Sequence, residues 1–275
     1  MKNLNIKKDS YRELEEYLNK QNLSFLDYSI EQIESFYKDK NIKSGIDDEW
    51  GKLKKSFENN EPIYIRRSSY NDIYKDIYSK MHWENIKIDY NGNHQPHKTL
   101  GKITKKYVNN QDFKNLKDGE EFISGYSVSH IWGFTHNPYL FNCPWNICYT
   151  PNSVDPLTGH MTKSDMKNEF KEKFINSNYY KNYVQPYANE YNDILNEIKT
   201  KIEEAVRESG KLSKIQEAKF LTEWEELTDQ NIFESYAQII YWYNTQWYKY
   251  RHTITTFSDR LYQFWYSFFV ILYSA

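Results

Sequence analysis

Between Ser68 and His82 the chain sets Tyr70, Ile73, Tyr74, Ile77, Tyr78 and Met81 at three- and four-residue intervals, which gathers them on one side of an α-helix. Half of that face is tyrosine, so whatever buries it must also find partners for phenolic hydroxyls. The same trait runs through the whole chain. Its 26 Tyr, 15 Phe and 8 Trp make up 18% of the residues, which offsets a modest hydrophobic fraction of 39% and a mean hydropathy of −0.90. Rings therefore stand in for aliphatic side chains as core material, and disorder is excluded over most of the length. A chain of 275 residues has room for a core of this kind, as one large domain or two small ones.

The N-terminal part reads as amphipathic helices over Ser10–Lys20, Ser24–Lys38 and Asp47–Asn59, then a short strand over Glu61–Arg67 before the Ser68–His82 helix. The run IKIDYNGNHQPHKT changes to a period of two and reaches an Asn-Gly pair, which predicts a hairpin at Asn91–Gly92. Phe122–Trp132 and Trp145–Tyr149 read as strands, and Asp155 followed by Pro156 reads as a helix cap with a first-turn proline. The remainder is helical in pattern: Leu157–Phe174, Tyr179–Glu208 with a break before Pro186, Leu212–Thr228, Ile232–His252 and Ser258–Leu272. The expected class is α+β, mainly helical, with a small core of two strands and a helix among N-terminal and C-terminal helices. Its regions are 1–82, mainly helical; 83–176, with the strands and a preceding hairpin; and 177–275, helical, for packing or dimerisation.

With 36 Lys and Arg against 38 Asp and Glu, the net charge of −2 rules out a globally basic nucleic-acid binder and leaves only a local patch. The two cysteines, Cys143 and Cys148, make a poor disulfide framework, and the N-terminus has no apolar run after its lysines; both point to the cytoplasm. The most apolar stretch, LYQFWYSFFVILYSA, is shorter than the roughly twenty residues of a membrane helix, so no membrane partner is expected.

Coordinating groups concentrate in YSVSHIWGFTHNPYLFNCPWNICYTPNSVDPLTGH, residues Tyr126 to His160, which holds three of the seven histidines, four asparagines and both cysteines. Ser129-His130-Ile131 at a strand end, Trp145-Asn146-Ile147 on the next strand and Asp155 to His160 opening a helix resemble the core of the HNH, or His-Me finger, endonucleases, whose ββα-metal fold holds one metal ion. The resemblance covers some thirty-five residues. It implies that His130 is the general base, that Asn146 orients the base or the phosphate and belongs to the metal set, and that His160 or Asp155 is the helix-side metal ligand, with Asn152 a competitor. His160 thereby joins His130 and Asn146 among the catalytic candidates. The position before the base, where the family often has Asp or His, is Ser129.

Those residue types suit phosphodiester hydrolysis. A histidine that titrates near neutrality can take a proton from water, and a hard divalent cation neutralises charge on the phosphoryl oxygens. The cofactor implied is Mg²⁺ or Mn²⁺. Structural zinc on Cys143, Cys148, His136 and His160 is a weaker alternative, because the cysteines are spaced too widely and no second close pair follows. Arg66, Arg67, Lys98, Lys102, Lys105 and Lys106 are the candidate phosphate contacts for double-stranded DNA. His82, His94, His97 and His252 read as ordinary surface or core histidines, His136 and Asn137 as part of a turn, and Trp132 and Trp145 as packing across the strands. The function expected is a metal-dependent, restriction-type endonuclease, with a homodimer as a further option. The alternative is a helical interaction or membrane-active protein using its aromatic C-terminal third, Ile232–Leu272.

Overall fold

The computed structural model describes residues 9–108, 116–158 and 165–233. Helix α1 (Ser10–Asn19) starts at Asp9, whose side chain accepts from the Tyr11 and Arg12 amides; α2 (Phe25–Ser35) starts at Ser24, which caps the Asp27 amide. Glu15 of α1 is buried because its carboxylate accepts from Ser24 Oγ at 2.8 Å and the Phe25 amide at 2.6 Å, locking the α1–α2 corner. Helix α3 (Ile42–Glu58) follows and buries Ile42, Ile46, Trp50 and Leu53.

Strand β1 (Ile63–Arg66), helix α4 (Asn71–Lys80) and strand β2 (Ile86–Asp89) form a βαβ unit whose strands run parallel, with Ile63 opposite Ile86 and Arg66 opposite Asp89. The tyrosine-rich face of α4 is buried as its spacing predicts, through Tyr74, Ile77 and Tyr78. The hairpin expected at Asn91–Gly92 does not form. Gly92, at φ +78°, turns the chain instead into helix α5 (His94–Thr104). The reason is local: the Asp89 carboxylate accepts from the amides of Asn91 at 3.1 Å and Gln95 at 2.9 Å, so it caps a helix start rather than facing a returning strand.

A left-handed residue, Lys105 at φ +60°, ends α5, and β3 (Lys106–Val108) pairs parallel with β4 (Glu121–Ile123). The single strand expected over Phe122–Trp132 is split at Gly125, φ +79°, into β4 and β5 (Tyr126–His130). Strand β5 pairs antiparallel with β6 (Ile147–Pro151), with His130 opposite Ile147 and Tyr126 opposite Pro151. The helix expected from Leu157 is instead a 3-10 turn, Asp155–Thr158, followed after residues outside the description by α6 (Met166–Asn176). Helices α7 (Asn178–Tyr183) and α8 (Gln185–Ser209) meet at the break expected before Pro186, and α9 (Lys214–Leu221) ends early in 3-10 turns at Thr222–Trp224 and Asp229–Asn231. The helices expected over 232–252 and 258–272 fall outside the described residues, apart from the buried pair Ile232 and Phe233.

The class is α+β and mainly helical. The β1–β2 pairing crosses the boundary expected at residue 82, and α6 packs on α7 across that expected at 176, so the described residues on both sides of these boundaries belong to one compact unit. Among the described residues no helix is long and apolar enough to cross a membrane. The core centres on the 131–146 connection between β5 and β6. Leu140, Phe141, Cys143 and Trp145 in it are fully buried; Trp145 meets Trp50 edge-on at 5.4 Å, and Tyr139 stacks on Phe57 at 3.7 Å.

Candidate active site

The antiparallel β5–β6 pair positions the site. Directly opposite residues share a face, so Val128, His130, Ile147 and Tyr149 lie on one side of the ribbon, and Ser129, Cys148 and Thr150 on the other. His130 is the last residue of β5 and is 5% exposed. Its Nε2 lies 2.8 Å from the Phe141 carbonyl, and its ring stacks on that of Phe141 at 5.6 Å. A carbonyl oxygen only accepts, so Nε2 carries the hydrogen and, in the neutral ring, Nδ1 is the basic nitrogen. The chain thus fixes both the tautomer and the orientation of the residue expected to be the base.

Asn146 is fully buried and spans the loop. Its Oδ1 accepts from the Trp132 amide at 3.1 Å, its Nδ2 donates to the Leu140 carbonyl at 3.0 Å, and its own carbonyl accepts from the Ile131 amide at 2.8 Å. Both ends of the amide are committed to backbone. Asn146 therefore braces the segment that carries the Phe141 carbonyl, and both polar ends of the side chain expected to serve a metal ion are engaged by backbone groups.

Asp155 lies on the other face. Its Oδ1 accepts from Ser129 Oγ at 2.8 Å, and Ser129 Oγ accepts from Thr150 Oγ1 at 2.7 Å. Successive strand residues leave opposite sides of the pleat, so the pair Ser129–Asp155 and the ring of His130 are not brought together. Asn152 is exposed and accepts from Ser127 Oγ at 2.7 Å across the end of the strand pair. His160 lies outside the described residues. Among the described residues no group of three or more His, Cys, Asp or Glu is arranged to hold a metal ion, and the Asn146 amide and Ser129 hydroxyl are consumed internally. These residues fit an oriented base; by themselves they do not fit a metal cage. Cys143 and Cys148 are buried free thiols, and burial pushes the Cys148 thiol up to about 12.

The face that carries His130 is covered by α5. Asn93 Nδ2 donates to the Val128 carbonyl at 3.2 Å, the His97 ring sits 6.3 Å from that of Tyr149, and Thr99 Oγ1 donates to Asn142 Oδ1 at 2.8 Å. Helix α5 carries both His94 and His97, read from sequence as ordinary histidines, and brings the His97 ring to Tyr149 on the His130 side of the ribbon. The signal that could have found them is the His-x-x-His spacing, which has meaning only once α5 is known to be a helix.

The basic candidates divide. Lys102 pairs with Glu49 at 3.2 Å and Lys106 pairs with Glu121, so their charge is largely spoken for. Lys98 and Lys105 are exposed on or just after α5. Arg66 and Arg67 are exposed at the end of β1, with the Arg67 guanidinium 5.6 Å from the Tyr90 ring. Trp132 and Trp145 pack on each other at 6.2 Å, as expected of strand-flanking rings.

Sequence reasoning also passed over one pair with no local signature. His136 Nδ1 lies 2.7 Å from Glu223 Oε1, and the Glu223 side chain is completely buried.

A family model described as "Uncharacterised protein PM1201" matches residues 41–257. A protein of Pasteurella multocida (strain Pm70) with the same description is 35% identical over 165 residues, covering 58% of this chain and 68% of that protein. No solved structure matches. Because the matched range runs from the last residue before α3 through the whole strand pair and beyond α9, the chain belongs to the family described as uncharacterised protein PM1201.

Proposed function

We propose that this protein is an endonuclease that hydrolyses DNA phosphodiester bonds, with His130 as the general base. The observation that carries the reading is the Nε2 contact of His130 with the Phe141 carbonyl, 2.8 Å, which directs Nδ1 to the proton-accepting role. Support comes from Asn146, whose amide holds the Phe141-bearing loop in place, and from the resemblance of Ser129-His130, Asn146 and the following turn to the His-Me finger core. In this reading His130 removes a proton from water as the water attacks phosphorus, and Arg66, Arg67 and Lys98 contact the DNA backbone. Dependence on Mg²⁺ or Mn²⁺, restriction-type sequence specificity, a homodimer and a cytoplasmic location belong to the same proposal and rest on the resemblance and the sequence.

Supercoiled plasmid incubated with the full chain and Mg²⁺ or Mn²⁺, with and without EDTA, tests it. The expected result is nicking or linearisation that EDTA abolishes and that His130→Ala lowers by about 100-fold or more, while circular dichroism shows the variant folded. Discrete fragments on long duplex DNA would support sequence specificity. Intact plasmid with either ion, or full cleavage by folded His130→Ala, would overturn the proposal.

A further inference from the structure

Asn91 and Gly92 stand where the chain leaves β2 and enters α5, and theirs is the one place in the 275 residues where asparagine precedes glycine. An asparagine side chain carries an electrophile, the amide carbon Cγ, within reach of the next backbone nitrogen, because a bond between them closes a five-membered ring. Two things suppress that closure: a side chain on the following residue, which crowds the nitrogen, and hydrogen bonds that hold the two groups in place.

Neither operates here. Gly92 has no side chain, and a Cβ at that position would meet nothing within 4 Å, so the space around it is open. Asn91 is exposed, and among the described residues nothing bonds its side-chain amide or accepts from the Gly92 backbone amide. The asparagines followed by serine, the next least crowded neighbour, are held. Asn152 Oδ1 accepts from Ser127 Oγ at 2.7 Å, and Asn176 Nδ2 donates to the Glu172 carbonyl at 2.9 Å.

We propose that Asn91 is a site of spontaneous covalent modification, deamidating through a succinimide to isoaspartate and aspartate, and that the isoaspartate form loosens the entry to α5. The reaction balances with water alone. The Gly92 nitrogen bonds to Asn91 Cγ and gives up its proton, and the Cγ–Nδ2 bond breaks as ammonia leaves. Water then opens the ring. Cleavage at the main-chain carbonyl gives isoaspartate, with the chain routed through Cγ; cleavage at Cγ gives aspartate on an unaltered main chain.

The structural consequence follows from Asp89. Its buried carboxylate spans the pair, with Oδ1 accepting from the Asn91 amide at 3.1 Å and Oδ2 from the Gln95 amide at 2.9 Å. Isoaspartate inserts one carbon into the main chain between those two amides and adds a second carboxylate close to the first. The two contacts then fall out of register, and Gln95, a first-turn donor of α5, loses its cap. Asn93, which ties α5 to the Val128 carbonyl at 3.2 Å, lies just beyond the inserted carbon.

The test holds the full chain at body temperature in mildly alkaline buffer, beside a synthetic peptide of residues 88–97 as a clock. Digestion and mass spectrometry with electron-transfer fragmentation read each asparagine, and amide hydrogen exchange reads Gln95. The expected result is the amide-to-acid mass increase at Asn91 ahead of Asn152 and Asn176, mostly as isoaspartate, with Gln95 exchange about tenfold faster in the aged fraction. Asn91→Gln is expected to show neither change. Asn91→Asp, which adds the charge without the extra carbon, is expected to keep the slow exchange. Asn91 intact in the chain after the peptide has converted, or Asn152 or Asn176 converting first, would overturn the modification site. Isoaspartate at 91 with Gln95 exchange unchanged, or Asn91→Asp exchanging as fast as the aged chain, would overturn the loosening. Mass and exchange are read without substrate, so failure here is separate from failure of plasmid cleavage.

Discussion

The amide of Asn146 illustrates how much one side chain does in this protein. It satisfies the Trp132 amide and the Leu140 carbonyl in a place without water, so Asn146→Ala strands two buried backbone groups and is expected to cost about 2–4 kcal/mol, read as a lower midpoint in urea unfolding. The cysteines make a second test at this scale. With both thiols buried and that of Cys148 pushed up to about 12, the native chain is expected to leave a thiol reagent unreacted at pH 8, a condition of the assay, and to react fully only in denaturant. The resemblance to the His-Me finger core singled out His130 and Asn146. It could not tell a ligand from a brace, because that difference lies in what surrounds the Asn146 amide. For Asp155 the alternation of β5 decided the matter: Ser129 faces the carboxylate, and His130 faces away.

Among the elements, α5 had no place in the sequence reading, since its Asn91–Gly92 entry imitates a hairpin turn. Asp89 redirects that turn into a helix, and the helix brings His97 to Tyr149 on the His130 side of the strand pair. The seating of α5 depends on Gly101, where any Cβ would collide with the ring of Tyr107. Gly101→Ala is expected to displace the helix or the β3 strand at a cost of about 1–3 kcal/mol, measurable as a lower unfolding temperature. The strands differ from expectation for equally local reasons. Gly125 adopts a left-handed conformation that breaks one predicted strand in two, and only the second half, β5, pairs with β6.

At the scale of the whole molecule, tyrosine is the dominant core residue with an ionisable group, and this sets the behaviour at high pH. Burial raises the phenols of Tyr37, Tyr74, Tyr78, Tyr139, Tyr149, Tyr179 and Tyr191 above their ordinary value, so the folded chain holds these protons more tightly than the unfolded chain. The stability they contribute is complete below the unfolded value near 10 and is lost as pH rises beyond it, by up to about 1.4 kcal/mol per pH unit for each such group. Unfolding is therefore expected to be steep above about pH 10, with phenolate absorbance appearing together with the loss of circular dichroism; phenolate forming first in a folded chain would contradict this burial. The sequence by itself determined the mainly helical class, the tyrosine-faced α4, the break before Pro186 and the strand pair around His130, because each follows from periodicity or backbone chemistry within a few residues. The tertiary structure alone decided the parallel pairing of β1 with β2, the burial of the polar-looking 131–146 loop at the centre of the core, and the meeting of His136 with Glu223 eighty-seven residues away. Those are contacts between distant segments, settled by which faces must be covered when the rings pack together, and no local pattern encodes them.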